Sequence, residues 1–189
     1  MLLSKLLEEI GYERIVGDIA GVEIEGIGAD SRHVMKGDLF ICFRGGENDG
    51  HAFAAEAVSC GAAALGARNS PAVMPVVERV LDLPAVQIVV PDGRKAMTEI
   101  AAAFYGHPER RLKIVGITGT NGKTTTAHML AAILKEGGIS CGNIGTLGIF
   151  YANKEISPEL TTPDPIFLYK IFADMVASGV ETVVMEVSA

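Results

Sequence analysis

The stretch "LKIVGITGTNGKTTTAHMLAAILKEGG", residues 112–138, leaves few folds open to this chain. The β-branched run "LKIVGIT" reads as a strand, and the segment from Lys123 to Glu136 reads as a helix. Between them lies a tight glycine turn. Strand, turn and helix in that order are the building unit of a parallel sheet with right-handed crossovers. The turn differs from the usual G-x-x-x-x-G-K-[ST] phosphate loop by one position. Where that pattern wants glycine the chain has Ile117, and its extra glycine is Gly116.

The chemistry of such a turn is anion binding. Gly119 and Gly122 let the backbone wrap closely around an anion. The helix that starts near Lys123 presents unpaired N–H groups and about half a positive charge to it. Lys123 is placed to reach the β- and γ-phosphates of a nucleotide, and the Thr124 hydroxyl to sit on Mg²⁺. The plain alternative is a strand-to-helix turn that binds nothing. The Gly-Lys-Thr sequence at the helix start argues against it.

Global charge does not help hold such a ligand. Formal net charge is −7, with no block of Lys or Arg, which speaks against a polynucleotide partner. Any phosphate site is therefore local. Glu8 and Glu9 interrupt the apolar N-terminus where a signal peptide needs a continuous core, and no run approaches the ~20 apolar residues of a membrane span. These features predict a cytoplasmic protein. Cys42, Cys60 and Cys141 form no C-x-x-C pair and are expected to be buried free thiols. His33, His51, His107 and His128 lack metal-ligand spacing and are expected on the surface or in loops.

The rest of the chain divides in two. Residues 1–90 read as a small α/β unit. A short amphipathic helix spans 2–10, and "GVEIEGIGADSR" alternates and then turns. "GDLFICFRGG" reads as a buried strand and "HAFAAEAVSCG" as a helix stopped by Gly61. "AAALGA" and "VQIVV" read as further strands. Residues 91–189 contain a helix opened by Pro91-Asp92, the strand–turn–helix, and a strand in "ISCGNIGT". A hairpin turning at Asn153, a helix capped by Asp164 and a buried strand in "VETVVMEV" follow. The fold class is α/β.

The compact loop T-G-T-N-G-K-T-T-T resembles the ATP loop of the Mur ligase family, the ATP-dependent amide-forming enzymes of peptidoglycan assembly. "GNIGTLG", "LTTPDP" and "VVMEVSA" follow in the order and spacing of the branch that adds the third residue of the stem peptide. "ADSRHVMKGDLFICFRGGENDGHAF" is similar to the uridine-nucleotide-binding domain of that branch, so the likeness covers nearly the whole chain.

The resemblance implies a small N-terminal uridine-nucleotide domain, followed by the first part of a P-loop parallel-sheet ATPase domain. It implies that Gly119, Thr120, Asn121, Gly122, Lys123, Thr124 and Thr125 bind the ATP phosphates, with Lys123 catalytic through charge on the transferring phosphoryl group. Thr124 and Glu186 would hold Mg²⁺; a capping or ion-pair role is the alternative for Glu186. Thr161, Thr162 and Ser188 would contact the muramyl dipeptide. Ser31 would hydrogen-bond the uracil, or merely cap a turn, and Gly46, Glu47 and Asn48 would line the nucleotide pocket. Many relatives read Asn-Thr-Thr at 160–162, so no role passes to Leu160.

The implied reaction joins a free diamino acid, diaminopimelate or lysine, to UDP-N-acetylmuramoyl-L-alanyl-D-glutamate through an acyl phosphate. A folylpolyglutamate-type ligase and a non-ligating P-loop module are the competing readings. The resemblance also implies that the chain is an N-terminal fragment, with the amino-acid pocket and a carbamylated lysine beyond Ala189.

Overall fold

A computed structural model describes residues 1–45, 49–63, 73–157 and 161–188. The chain forms two compact units, residues 1–104 and 105–189. The division falls after Phe104, not after residue 90. The reason is that the helix opened by Asp92 packs within the first unit: Glu99 accepts a bond from the Gly11 amide and Glu78 one from the Gly93 amide.

In the first unit α1 (Leu3–Leu7) buries Leu3, Leu6 and Leu7, the one-face spacing of a helix, but ends before Ile10. Strands β1 (Arg14–Val16), β2 (Gly26–Gly28), β3 (Asp38–Ile41), β4 (Met74–Val77) and β5 (Gln87–Val89) form one sheet in the order β1-β5-β4-β3-β2. All pairs are parallel except β1–β5. Every residue of β3 is buried, as expected of a parallel strand covered on both faces. Helix α2 (Ala54–Ala63) follows a 3₁₀ turn at Gly50–Phe53, and α3 (Gly93–Phe104) closes the unit. Asp92 starts α3 by accepting from the amides of Arg94 and Lys95 at 2.9 and 3.0 Å.

Several local expectations change here. Gly61 does not stop α2, because alanines on both sides favour continuing the helix. Ala62 and Ala63 of the expected "AAALGA" strand are helical, and the rest of that segment lies outside the described residues. The strand that occupies its place is β4, hidden from pattern reading by Pro75. Pro75 precedes Val76, the first residue paired to β5, so its missing N–H interrupts no bond to that strand. Strand β1 was also unexpected. Cys42 and Cys141 are buried but Cys60 is exposed. His51 is buried, not on the surface. Its Nδ1 faces Asp49 at 2.5 Å, and its Nε2 accepts from the Glu78 amide at 2.9 Å.

The second unit is built from β6 (Lys113–Ile117), α4 (Lys123–Glu136), β7 (Cys141–Gly145), β8 (Gly148–Tyr151), β9 (Lys154–Ile156), α5 (Pro165–Ala177) and β10 (Thr182–Glu186). The sheet order is β6-β10-β7-β8-β9, with β6, β10 and β7 parallel and the β8–β9 hairpin antiparallel. The hairpin turns through Ala152 and Asn153 at φ 43° and 65°, the two positive values of a type I′ turn. Asp164 caps α5 through the Phe167 amide, with Pro165 at the first helical position.

Each face of this sheet has its own core. Ile144, Ile149, Tyr151, Val183 and Met185 meet Ile171, Phe172 and Met175 of α5. On the other face Cys141 and Val184 meet Ala127 and Ala131 of α4. Because β10 lies between β6 and β7, the carboxyl ends of three parallel strands stand side by side. In such sheets that edge is where ligands bind. Among the described residues, no helix is long and apolar enough to cross a membrane.

Candidate active site

The turn after β6 has the backbone its sequence calls for. Gly119 and Gly122 sit at φ 146° and 78°, a region that L side chains rarely adopt. Gly122 ends the turn, and its carbonyl accepts the first bond of α4 from the Thr126 amide at 2.9 Å. Thr120 and Asn121 are exposed on the turn, and Thr125 on the first helical turn. Lys123 folds back so that Nζ donates to the Gly119 carbonyl at 2.7 Å. Its ammonium is thereby held against the loop.

Glu186 ends β10 and is only 1% exposed. Its carboxylate meets donors from the first turn of α4 and from the residue that follows β7. Oε2 accepts from the Thr124 hydroxyl at 2.8 Å, and Oε1 from the Thr146 amide at 2.9 Å. The Thr146 hydroxyl also donates to Oε2, at 3.3 Å. Gly145, at the end of β7, makes room for this carboxylate. A Cβ there would overlap Oε1 outright.

The expected peptide-binding residues join the same network. Thr161 Oγ1 lies 3.2 Å from Thr146 Oγ1. The Thr162 hydroxyl donates to the Glu186 carbonyl at 3.1 Å and accepts from the Ser188 amide at 3.0 Å. Lys123, Thr124, Thr161, Thr162, Glu186 and Ser188 thus gather at one edge, although Ser188 enters through its backbone. The bonds Glu186 accepts come from neutral hydroxyls and an amide, not from a cation, and the Thr146 amide bond is of the capping kind.

These donors suit a hard cation. Mg²⁺ takes oxygen ligands and usually needs only one or two carboxylates beside phosphate oxygens. Thr124 and Glu186 offer a hydroxyl and a nearly dry carboxylate in contact with one another. Among the described residues, no three His, Cys, Asp or Glu side chains cluster.

In the first unit, Ser31 lies in a cavity of about 520 Å³ lined by Ala29, Asp30, Ser31, Arg32, Phe53 and Glu56. Ser31 is buried and donates to Glu56 Oε2 at 2.9 Å. Arg32 grips both oxygens of Asp30 at 2.9 and 2.6 Å, and its guanidinium holds that carboxyl well below the usual carboxylate range. Phe53 is exposed and offers a ring face for a planar base. Gly46, Glu47 and Asn48 lie outside the described residues.

Three contributors escaped the sequence reading: Thr146, Phe53 and Glu56. Thr146 had a signal, since it follows the "GNIG" strand end at the same edge as Glu186. Phe53 and Glu56 sit in a segment that reads simply as a helix.

Residues 117–189 match the Mur ligase middle domain, and residues 23–105 match the domain described as "Mur ligase family, catalytic domain". This chain belongs to the Mur ligase family. Among curated Mur ligases, it is 40% identical, over all of its length, to a UDP-N-acetylmuramoyl-L-alanyl-D-glutamate–2,6-diaminopimelate ligase of Clostridium acetobutylicum. It is 43% identical over 91% of its length to the enzyme of that name from Geobacillus thermodenitrificans. The chain spans 37% and 32% of those two proteins. Among solved Mur ligase structures, one of a diaminopimelate ligase of the same name has TM-score 0.69 at 25% identity, covering 87% of this chain and 32% of that one. MurF from Acinetobacter baumannii has TM-score 0.58 at 28% identity, covering 91% of this chain and 32% of its own.

Proposed function

We propose that this chain carries the nucleotide-sugar site and the phosphate loop of an ATP-dependent ligase of cell-wall precursor synthesis. The ligase adds diaminopimelate or lysine to UDP-N-acetylmuramoyl-L-alanyl-D-glutamate in the cytoplasm. The observation that carries the reading is the convergence of Thr124, Thr161, Thr162 and Glu186 at one sheet edge, beside a loop shaped for phosphates.

In this reading the carboxylate of the substrate D-glutamate takes the γ-phosphoryl group, and ADP departs. The amine of the diamino acid then attacks the acyl phosphate, and phosphate leaves as the amide forms. The chain's part in the first step is positioning and charge neutralisation. The loop amides and Lys123 bind the phosphates, and Thr124 with Glu186 would hold Mg²⁺, which supplies further positive charge. The hydroxyls of Thr161 and Thr162 orient the peptide end of the substrate. In the first unit, Ser31 bonds the uracil and Phe53 stacks on it. The chain needs no nucleophile of its own.

The experiment is calorimetric titration of the 189-residue chain with UDP-muramyl dipeptide, UMP and ATP, with and without Mg²⁺. Binding of the UDP compound together with Mg²⁺-dependent binding of ATP is expected. Binding of ATP with no response to either uridine compound would favour a non-ligating P-loop module.

A further inference from the structure

We propose that Thr146 is a positioning residue that fixes the cation-facing carboxylate of Glu186 and couples it to the substrate loop through Thr161. The inference rests on the functional reading above and deepens it.

Among the described residues three bonds reach the Glu186 carboxylate, and two of them come from Thr146: its amide to Oε1 and its hydroxyl to Oε2. The third comes from Thr124, itself a candidate cation ligand. A hydroxyl keeps two lone pairs while it donates, so Thr124 can face a cation and still bond Glu186 from one side. Thr146 provides the other two bonds that keep the carboxylate in place. Gly145 completes the cradle, because only a residue without Cβ lets Glu186 lie against the end of β7.

Proton accounting gives the network a direction. The Thr146 hydroxyl donates to Glu186 Oε2, so its single proton is committed there. At 3.2 Å, the bond between Thr146 and Thr161 must then be donated by Thr161. The chain runs Thr161 to Thr146 to Glu186, and each donation polarises the next. A peptide ligand that engages Thr161 alters this chain one bond away from the cation. Thr146 is exposed and packs in no core, so its hydroxyl can be removed without opening a cavity.

The test uses the 189-residue chain and its Thr146→Val, Thr146→Ser and Thr161→Val variants. Valine keeps the shape and the backbone amide but loses the hydroxyl. Mn²⁺ binding in the presence of ATP is read by electron paramagnetic resonance, and ATP binding without divalent ion by calorimetry. Thr146→Val should weaken Mn²⁺ binding about tenfold, the scale of one lost bond to a charged group. Thr146→Ser should restore it, and Thr161→Val should weaken it by a smaller factor. Metal-free ATP binding should stay unchanged throughout. Equal Mn²⁺ affinity in wild type and Thr146→Val overturns this inference alone. Absence of Mn²⁺-dependent binding in the wild-type chain overturns it together with the functional reading.

Discussion

The hydroxyl of Thr124 donates to the carboxylate of Glu186 at 2.8 Å, although the two residues are 62 positions apart in sequence. The bond joins the first turn of α4 to the end of β10. It exists because β10 inserts beside β6 instead of adding at the far side of β7. A carboxylate from the neighbouring strand thereby reaches the residue directly after the phosphate-loop lysine. Topology, more than local sequence, builds this pairing.

Lys123→Ala should abolish ATP binding and leave the fold intact. The side chain is partly exposed, and its ammonium bonds a loop carbonyl, not a core group, so the stability change should stay within about 0.5 kcal/mol. Calorimetry gives the affinity and thermal unfolding the stability. Undiminished affinity in the folded variant would remove Lys123 from the phosphate site. In the wild type, affinity should fall only modestly with salt, since the chain carries −7 overall and the site is local.

Gly145→Ala tests the cradle from the other side. The new methyl group would collide with Glu186 Oε1, so either the carboxylate or the end of β7 must move. A loss of about 1–3 kcal/mol in stability is expected from such overpacking. Divalent-ion dependence of ATP binding should disappear with it. A variant that unfolds at the wild-type temperature and still binds Mg²⁺ with ATP would show that Glu186 does not need this space.

The strand–turn–helix was legible because its signals are local: β-branched residues, glycines at positive φ, then helix formers from Lys123 to Glu136 with those very bounds. The Asn153 hairpin and the Asp164 cap were legible for the same reason. What failed was non-local. The first unit extends to Phe104 because α3 is fixed by contacts from Gly11 and Glu78, which no spacing within α3 records. Strand β4 was hidden by a proline whose cost vanishes only once the register with β5 is known. Thr146 lay in a quoted motif, but its role depends on β7 and β10 being neighbours. His51 looked like a loop histidine until its partners Asp49 and Glu78 closed around it.

Ser31→Ala should weaken binding of UDP-muramyl dipeptide and leave ATP binding alone. Ser31 and the loop after β6 belong to different compact units, so the effects should separate. Losing the bond to Glu56 should also cost about 1 kcal/mol of stability. Parallel titrations with the two ligands check it. Equal losses for both would end the assignment of separate sites.

Alkaline pH offers a probe of the second unit. Burial, and then the hydrogen bond to Asp174, push the Tyr151 hydroxyl up to about 12. A tyrosine whose folded value lies above the unfolded one of about 10 adds stability that is fully present below pH ~10. That contribution is lost as pH rises through about 12. Burial also raises Tyr105 and Tyr169, so absorbance near ~295 nm should show a late tyrosinate step, coincident with loss of structure, that Tyr151→Phe reduces by one tyrosine. Complete titration of all four tyrosines near pH ~10 in the folded protein would contradict the buried Tyr151–Asp174 pair.

The last expectation concerns the surface around β6. Among the described residues this strand pairs only with β10, so its other edge has no strand partner there. Ile114 and Val115 are substantially exposed, and on α4 Met129 and Ile133, one helical turn apart, are 59% and 65% exposed. An open edge beside exposed apolar side chains is a template for pairing with another chain. The 189-residue chain should therefore self-associate, with an apparent mass in light scattering that rises with concentration. Ile133→Lys should lower that tendency without changing ATP affinity, because the side chain points away from the core of Ala127 and Ala131. A monodisperse monomer at high concentration would mean that the net charge of −7 outweighs the apolar surface.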